Sequence, residues 1–198
     1  MRNSIVRPLS ALAIALVAAF IPATVNAGDA TIQMIYPHFV PATVTIAQGQ
    51  SVDWTNSDGI THTSTGDSPL NLWARHDVPS GSNFDLAFDY AGSFTFHCSI
   101  HVVMTGEVRV PIKVSPSSGS TSTTFTITVR SGAANGFDAI IQMKKPGGHW
   151  QTWKTIAGAS TTFRPSTGGT YRFRTKLERR SNGTMSAFSP ARAISVSG

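Results

Sequence analysis

The only cysteine in the chain sits in the run Phe96-His97-Cys98-Ser99-Ile100-His101-Val102-Val103-Met104. A thiol, an imidazole and a thioether fall close together there, directly after an apolar stretch that reads as a strand. A lone cysteine has no partner for an internal disulfide, which leaves an intermolecular bond, a free thiol or a metal ligand. Two imidazoles and a thiolate with a weak axial thioether form the ligand set of electron-transfer copper sites. The run also holds His97, but only His101 lies on the metal side of it, so a second histidine must come from elsewhere. His62 is the candidate, in the loop Asn56-Ser57-Asp58-Gly59-Ile60-Thr61-His62 that follows the Val52/Trp54 strand.

The elements that would position these side chains are strands, because hydrophobic periodicity is two nearly everywhere. Val44, Ile46, Val52 and Trp54 face one way in their segments, as do Phe84, Leu86 and Phe88, and then Val108 and Val110. Turn residues separate them, as in Ala47-Gln48-Gly49-Gln50 and Tyr90-Ala91-Gly92-Ser93. The same alternation puts Phe94, Phe96 and Cys98 on the core face and Thr95 and His97 on the other. Cys98 is thus expected to point inward at the rim of a sandwich. His101 and Met104 follow in a loop pinned by the next strand, Glu107 to Val110.

A Pro/Ser/Thr/Gly-rich stretch from Pro111 to Thr124 reads as a boundary, after which the alternation restarts with Phe125, Ile127 and Val129. Ala139, Ile141 and Met143 continue it, then Tyr171, Phe173 and Thr175. Pro146-Gly147-Gly148 and Asn182-Gly183 read as turns. The expected architecture is all-β, two sandwiches in series over residues 28–111 and 112–198, with no helix of ordinary length. Residues 1–27 read as a secretory signal peptide: Arg2 and Arg7, an apolar run from Leu9 to Ile21, then Val25-Asn26-Ala27. That run is too short to span a bilayer as a helix. The expected location is extracytoplasmic, in a periplasm or at a cell surface.

Charge divides the chain. From Gly28 to Ile112 two basic residues, Arg75 and Arg109, face eight acidic ones; from Lys113 to Gly198 twelve basic residues face Asp138 and Glu178. Such asymmetry points to two units with different partners.

The segments Phe39-Val40-Pro41, Val44-Thr45-Ile46, Gly49, Val52-Asp53-Trp54, Asn56 and His62 form an ordered pattern with Tyr90-Ala91-Gly92-Ser93-Phe94, Cys98, His101, Met104, Gly106 and Val108. In that pattern, residues about 32 to 110 resemble the cupredoxins, the blue copper proteins, and most of all the plastocyanin/amicyanin group. The short Cys-to-His-to-Met spacing is similar to the amicyanin type. The resemblance implies a Greek-key β-sandwich holding one type 1 copper ion. It also implies that His62, Cys98 and His101 are equatorial ligands, with Met104 axial. It further implies a non-enzymatic carrier of single electrons between redox protein partners. Family members often carry Asn directly after the first histidine; this chain has Thr63, so the brace to the cysteine loop is expected to be hydroxyl-based, between Thr63 and Ser99.

Other chemistries fit less well. His97 beside Cys98 is similar to the copper nitrite reductases, but the further histidine expected shortly after His62 is absent and Asp67 stands nearby. There is no His-x-His motif of the multicopper oxidases. A Cys/His protease would not need the adjacent Met, and zinc would leave Met104 unused. His38, His76 and His149 read as isolated surface histidines, Met34 as core, and Trp73 as packing either beside the metal end or over the core.

The basic half resembles fibronectin III and immunoglobulin-like sandwiches less specifically, with Tyr171 in the place of a tyrosine-corner residue. Arg172, Arg174 and Lys176 alternate with inward residues and form a cationic row. Arg179 and Arg180 are expected to extend it, and Lys144 and Lys145 to add to it. The row is either a solvated face or an attachment surface for an anionic cell surface, membrane surface or acidic partner; nucleic acid does not suit an exported protein. The second reading of the whole chain is a copper-binding or adhesive surface protein with no electron-transfer role.

Overall fold

The computed structural model describes residues 29–133 and 136–198, and the signal peptide read over 1–27 lies outside them. Among the described residues there is no helix and the architecture is all-β. The first nine strands are β1 (Ala30–Ile35), β2 (His38–Val40), β3 (Thr43–Thr45), β4 (Gln50–Thr55), β5 (His62–Gly66), β6 (His76–Val78), β7 (Asn83–Phe88), β8 (Gly92–His97) and β9 (Thr105–Val110). They form two sheets, β2-β1-β4-β7 and β3-β9-β8-β5-β6. The parallel pairs β1/β4 and β3/β9 tie distant segments together, so the sheets are not simple meanders.

The period-two pattern explains why these segments pair face to face. Ile32 and Met34 from β1, Val52 and Trp54 from β4, Phe96 from β8 and Val108 and Val110 from β9 are fully buried between the sheets. Each large side chain so buried contributes about 1.5–3 kcal/mol relative to leaving it in water. Trp54 stands at the centre, edge-on to Phe96 and beside Trp73, Phe84 and Phe88. Trp73 therefore caps this core, and its indole N–H donates to Ser64 Oγ at 3.1 Å. Gly106 in β9 has no room for a side chain: a Cβ there would strike the Phe96 ring and stand 2.8 Å from the Ala42 carbonyl oxygen.

The remaining strands are β10 (Lys113–Ser115), β11 (Ser118–Ser120), β12 (Phe125–Thr128), β13 (Phe137–Lys144), β14 (Trp150–Ile156), β15 (Ser160–Phe163), β16 (Gly169–Arg179) and β17 (Arg192–Ser197). They build a three-stranded sheet, β10-β12-β15, and a five-stranded one, β11-β17-β16-β13-β14. The Pro/Ser/Thr-rich stretch read as a boundary is therefore not empty linker: it contributes β10 and β11, each at a sheet edge. Edges are where Pro and short strands are tolerated. Tyr171 is buried and its hydroxyl donates to the Thr167 carbonyl at 3.1 Å.

Two clusters of buried side chains lie between these pairs of sheets, and they are joined. Phe137 of β13 and Leu177 of β16 belong to the first cluster, and Ala91 to the second. Tyr90 meets Phe137 edge-on at 5.5 Å, and its hydroxyl donates to the Ala133 carbonyl. Gln48 Nε2 donates to the carbonyls of Pro111 and Thr128 at 3.1 and 3.0 Å.

Arg179 and Arg180 do not extend the cationic row. Arg179 stacks on Phe137 and donates to the Leu70 carbonyl at 2.8 Å, while Arg180 pairs with Asp138. Alternation along β16 would put Arg179 on the inner side, and its long apolar stem lets it lie over an aromatic ring instead. Lys144 does stand beside Arg172 in the β13/β16 register.

Candidate metal centre

Strand pairing brings the site together from three segments. β5 pairs with β8 through Thr65/His97 and Gly66/Phe96, which sets the start of β5, His62, beside the residue that directly follows β8. That residue, Cys98, points inward and is fully buried, as its alternation requires. Its N–H donates to the Met104 carbonyl at 3.0 Å, and the Met104 N–H donates to the His101 carbonyl at 2.9 Å. These two bonds close the Cys98–Met104 loop on itself, with Met104 fully buried in the same cluster as Cys98.

Three donor atoms converge. His62 Nδ1 and His101 Nδ1 are 3.1 Å apart, and Cys98 Sγ is 4.0 Å from the first and 3.6 Å from the second. Among the described residues these three side chains form a group able to hold one metal ion. Imidazole and thiolate ligands about 2.0–2.3 Å from a common ion would stand roughly 3.3–3.8 Å from each other, so the 3.6 Å separation matches and the 3.1 and 4.0 Å ones lie about 0.2 Å outside what a shared ion requires. His62 is fully buried, whereas His101 is partly exposed and has the Tyr36 ring edge-on at 5.2 Å.

The surroundings hold the donors in place. The Thr63 N–H donates to Cys98 Sγ at 3.3 Å and fixes where the sulfur lies. Thr63 Oγ1 accepts from the Ser99 N–H at 2.6 Å, the hydroxyl brace expected from the sequence. On the other side of the strand, His97 faces away from the centre. Its Nδ1 meets Asp67 Oδ1 at 2.6 Å, and its Nε2 lies 3.3 Å from Ser99 Oγ, which in turn meets Thr65 Oγ1 at 2.8 Å. His38, His76 and His149 are exposed and apart from the group, with His76 stacked on Phe84.

The sequence reading did not single out Asp58 or Tyr36. Asp58 Oδ2 lies 3.1 Å from His62 Nε2 and accepts from the Tyr36 N–H at 2.9 Å, while Oδ1 accepts from the Gly59 N–H at 2.7 Å. The Tyr36 N–H above all, then His62 and the Gly59 N–H, hold the Asp58 carboxyl below its ordinary range. Asp58 stands four residues before His62, a spacing that carries no signal in a loop; only the fold makes it meaningful.

The large apolar side chains that stay exposed gather at this end. Val102, Val103 and Ile100 flank His101, Ile35 ends β1 and Tyr36 opens the turn to β2, Ile60 stands two residues before His62, and Val40 ends β2. Val102 is 78% exposed and Val103 61%.

No family model matches the chain, and no curated protein does. Solved structures similar to it include an amicyanin mutant in its reduced state, at 22% identity over 44% of this chain and 87% of that one, with a TM-score of 0.39. Another is a purple cupredoxin from Nitrosopumilus maritimus, at 24% identity over 41% of this chain and 99% of that one, with a TM-score of 0.38. Likenesses at such scores carry no argument alone, and the reading of the centre rests on its own geometry.

Proposed function

We propose that this chain is an exported type 1 copper protein that carries single electrons between redox partners, with residues 28–111 as the copper unit and 112–198 as a basic unit for attachment or docking. The observation that carries this reading is the buried convergence of His62 Nδ1, Cys98 Sγ and His101 Nδ1 within 4.8 Å of one another. One thiolate and two imidazoles, with a thioether at hand, suit copper in both oxidation states. Copper bound there would supply a one-electron couple.

His62, Cys98 and His101 are assigned as equatorial ligands and Met104 as the axial one. The chain's own part is to hold them still. Cys98 directly follows a strand, its loop is closed by two backbone bonds, and Thr63 braces both the thiol and the Ser99 N–H. Rigid donors leave little to rearrange when charge changes, which keeps electron transfer fast. His101, the most exposed of the three, is the port. The apolar side chains around it, Ile100, Val102, Val103 and Tyr36, suit a partner that docks and leaves without needing paired charges.

In the basic unit, Arg174 lies between the Trp150 and Phe188 rings at 4.3 and 4.2 Å, and Lys176 over Phe188. With Arg172 and Lys144 they give a cationic sheet face suited to an anionic surface or partner. Retention on anionic beads that falls as salt rises tests this; salt-insensitive retention, or none, would remove it. The copper reading is tested by the colour and EPR signature of the copper-loaded protein. A colourless, non-cycling adduct would favour a copper-binding surface protein instead.

A further inference from the structure

We propose that Asp58 is the positioning residue of the centre: its carboxylate locks His62 into the tautomer that presents Nδ1 to the metal, and its charge biases the site toward the more positive oxidation state. This rests on the copper reading above. A carboxylate accepts hydrogen bonds and donates none. His62 Nε2, 3.1 Å from Asp58 Oδ2, must therefore carry the ring proton, which leaves Nδ1 with its lone pair aimed at Cys98 Sγ and His101 Nδ1.

Asp58 is itself fixed. It accepts from the backbone N–H groups of Tyr36 and Gly59, and its own N–H donates to Asn56 Oδ1 at 3.0 Å. Asn56 is fully buried, and its Nδ2 donates to the carbonyls of Ile60 and Val78, so the whole turn from residue 56 to 60 is tied down behind His62. Through Tyr36 the same carboxylate reaches the other histidine, since the Tyr36 ring packs edge-on to His101. Asp58 thus holds one imidazole directly, and the Tyr36 backbone it anchors carries the ring that packs on the other. The consequence is asymmetry. His62 is a charge-backed donor; His101 has no carboxylate partner among the described residues and is held by its loop and a ring contact. A carboxylate behind a ligating imidazole makes it a stronger donor, and its negative charge stabilises Cu(II) more than Cu(I).

The test uses the full chain with Asp58→Ala and Asp58→Asn, the second keeping an oxygen acceptor without the charge. Long-range proton–nitrogen spectra of the metal-free protein report the His62 tautomer directly. Competition titrations give Cu(II), Cu(I) and Zn(II) affinities. The wild type should show His62 with its proton on Nε2, and Asp58→Ala a mixture of tautomers. Cu(II) and Zn(II) binding should weaken about 10- to 100-fold in Asp58→Ala, Cu(I) binding less, and the reduction potential should rise. Asp58→Asn should keep the tautomer and weaken Cu(II) less. An unchanged tautomer with unchanged Cu(II) affinity in Asp58→Ala would overturn the proposal, as would equal losses for both oxidation states. A wild type without blue colour would instead defeat the copper-carrier reading, and the tautomer and Zn(II) results would still judge Asp58.

Discussion

At the His101 end of the first pair of sheets, Asn56, His62, Thr63 and Ser64 are fully buried while Ile100, Val102 and Val103 face water. The second pair of sheets follows the ordinary order. Its buried polar side chains, Thr175 and Ser189, are spent on local backbone: Thr175 Oγ1 donates to the Ile140 carbonyl and Ser189 Oγ accepts from the Thr175 N–H. Its surface aromatics, Trp150 and Phe188, are covered by Arg174. Both regions are β-sandwiches built by the same alternation, so the fold does not distinguish them. What distinguishes them is an inversion, polar groups inside and apolar groups outside, and burying polar groups is costly unless each has a partner. The inversion marks where the first region gives up packing for chemistry.

The largest effect should come from removing the thiol. Cys98→Ser should abolish the intense visible band of the copper protein altogether while leaving the fold, measured by circular dichroism, in place; a variant that stays blue would refute the ligand assignment.

The next largest effect concerns the joint between the regions. Phe137 is buried against the first cluster from a strand of the second, edge-on to Tyr90 and under Arg179. Phe137→Ala should cost about 3–5 kcal/mol in denaturant unfolding. The copper colour and the fluorescence of the second region should be lost together. Separate transitions would mean that the two regions are energetically independent.

Two smaller changes sharpen the contrast inside the first region. Gly106→Ala should cost about 1–3 kcal/mol, because Phe96 and the Ala42 carbonyl leave no space. Thr63→Val should cost about 1–2 kcal/mol, by leaving the Ser99 N–H without its acceptor, and should speed copper loss. A stability equal to wild type in denaturant titration would contradict either. The smallest effect is expected in the second region. Arg174→Ala should cost about 1 kcal/mol or less from its ring contacts, with no change in the copper spectrum. A shifted spectrum would show that the basic face is coupled to the centre.

Much of this centre was legible in the sequence because it rests on short-range rules. Alternation alone aims Cys98 inward and His97 outward, and a strand followed by a loop suffices to nominate His62. The Thr63 to Ser99 bond could be anticipated because both residues adjoin nominated ligands. Other parts depend on register between strands far apart in the chain. Asp58 meets Tyr36 only because β1 lies beside β4. Phe137 and Leu177 look like core residues of their own strands, and nothing in their spacing tells that they close a cluster begun by Ile32. Arg179 and Arg180 misled for the same reason. Charge was readable, but whether a cation lies in a row or over a ring is decided by what the fold sets against it.

In the reading proposed above, His62, Cys98 and His101 hold one copper ion as a rigid electron-transfer centre. Visible absorption and EPR of the copper-loaded full chain test it most directly. An intense blue colour, a narrow copper hyperfine pattern and rapid reversible reduction are expected. A colourless adduct with an ordinary wide hyperfine pattern would contradict it.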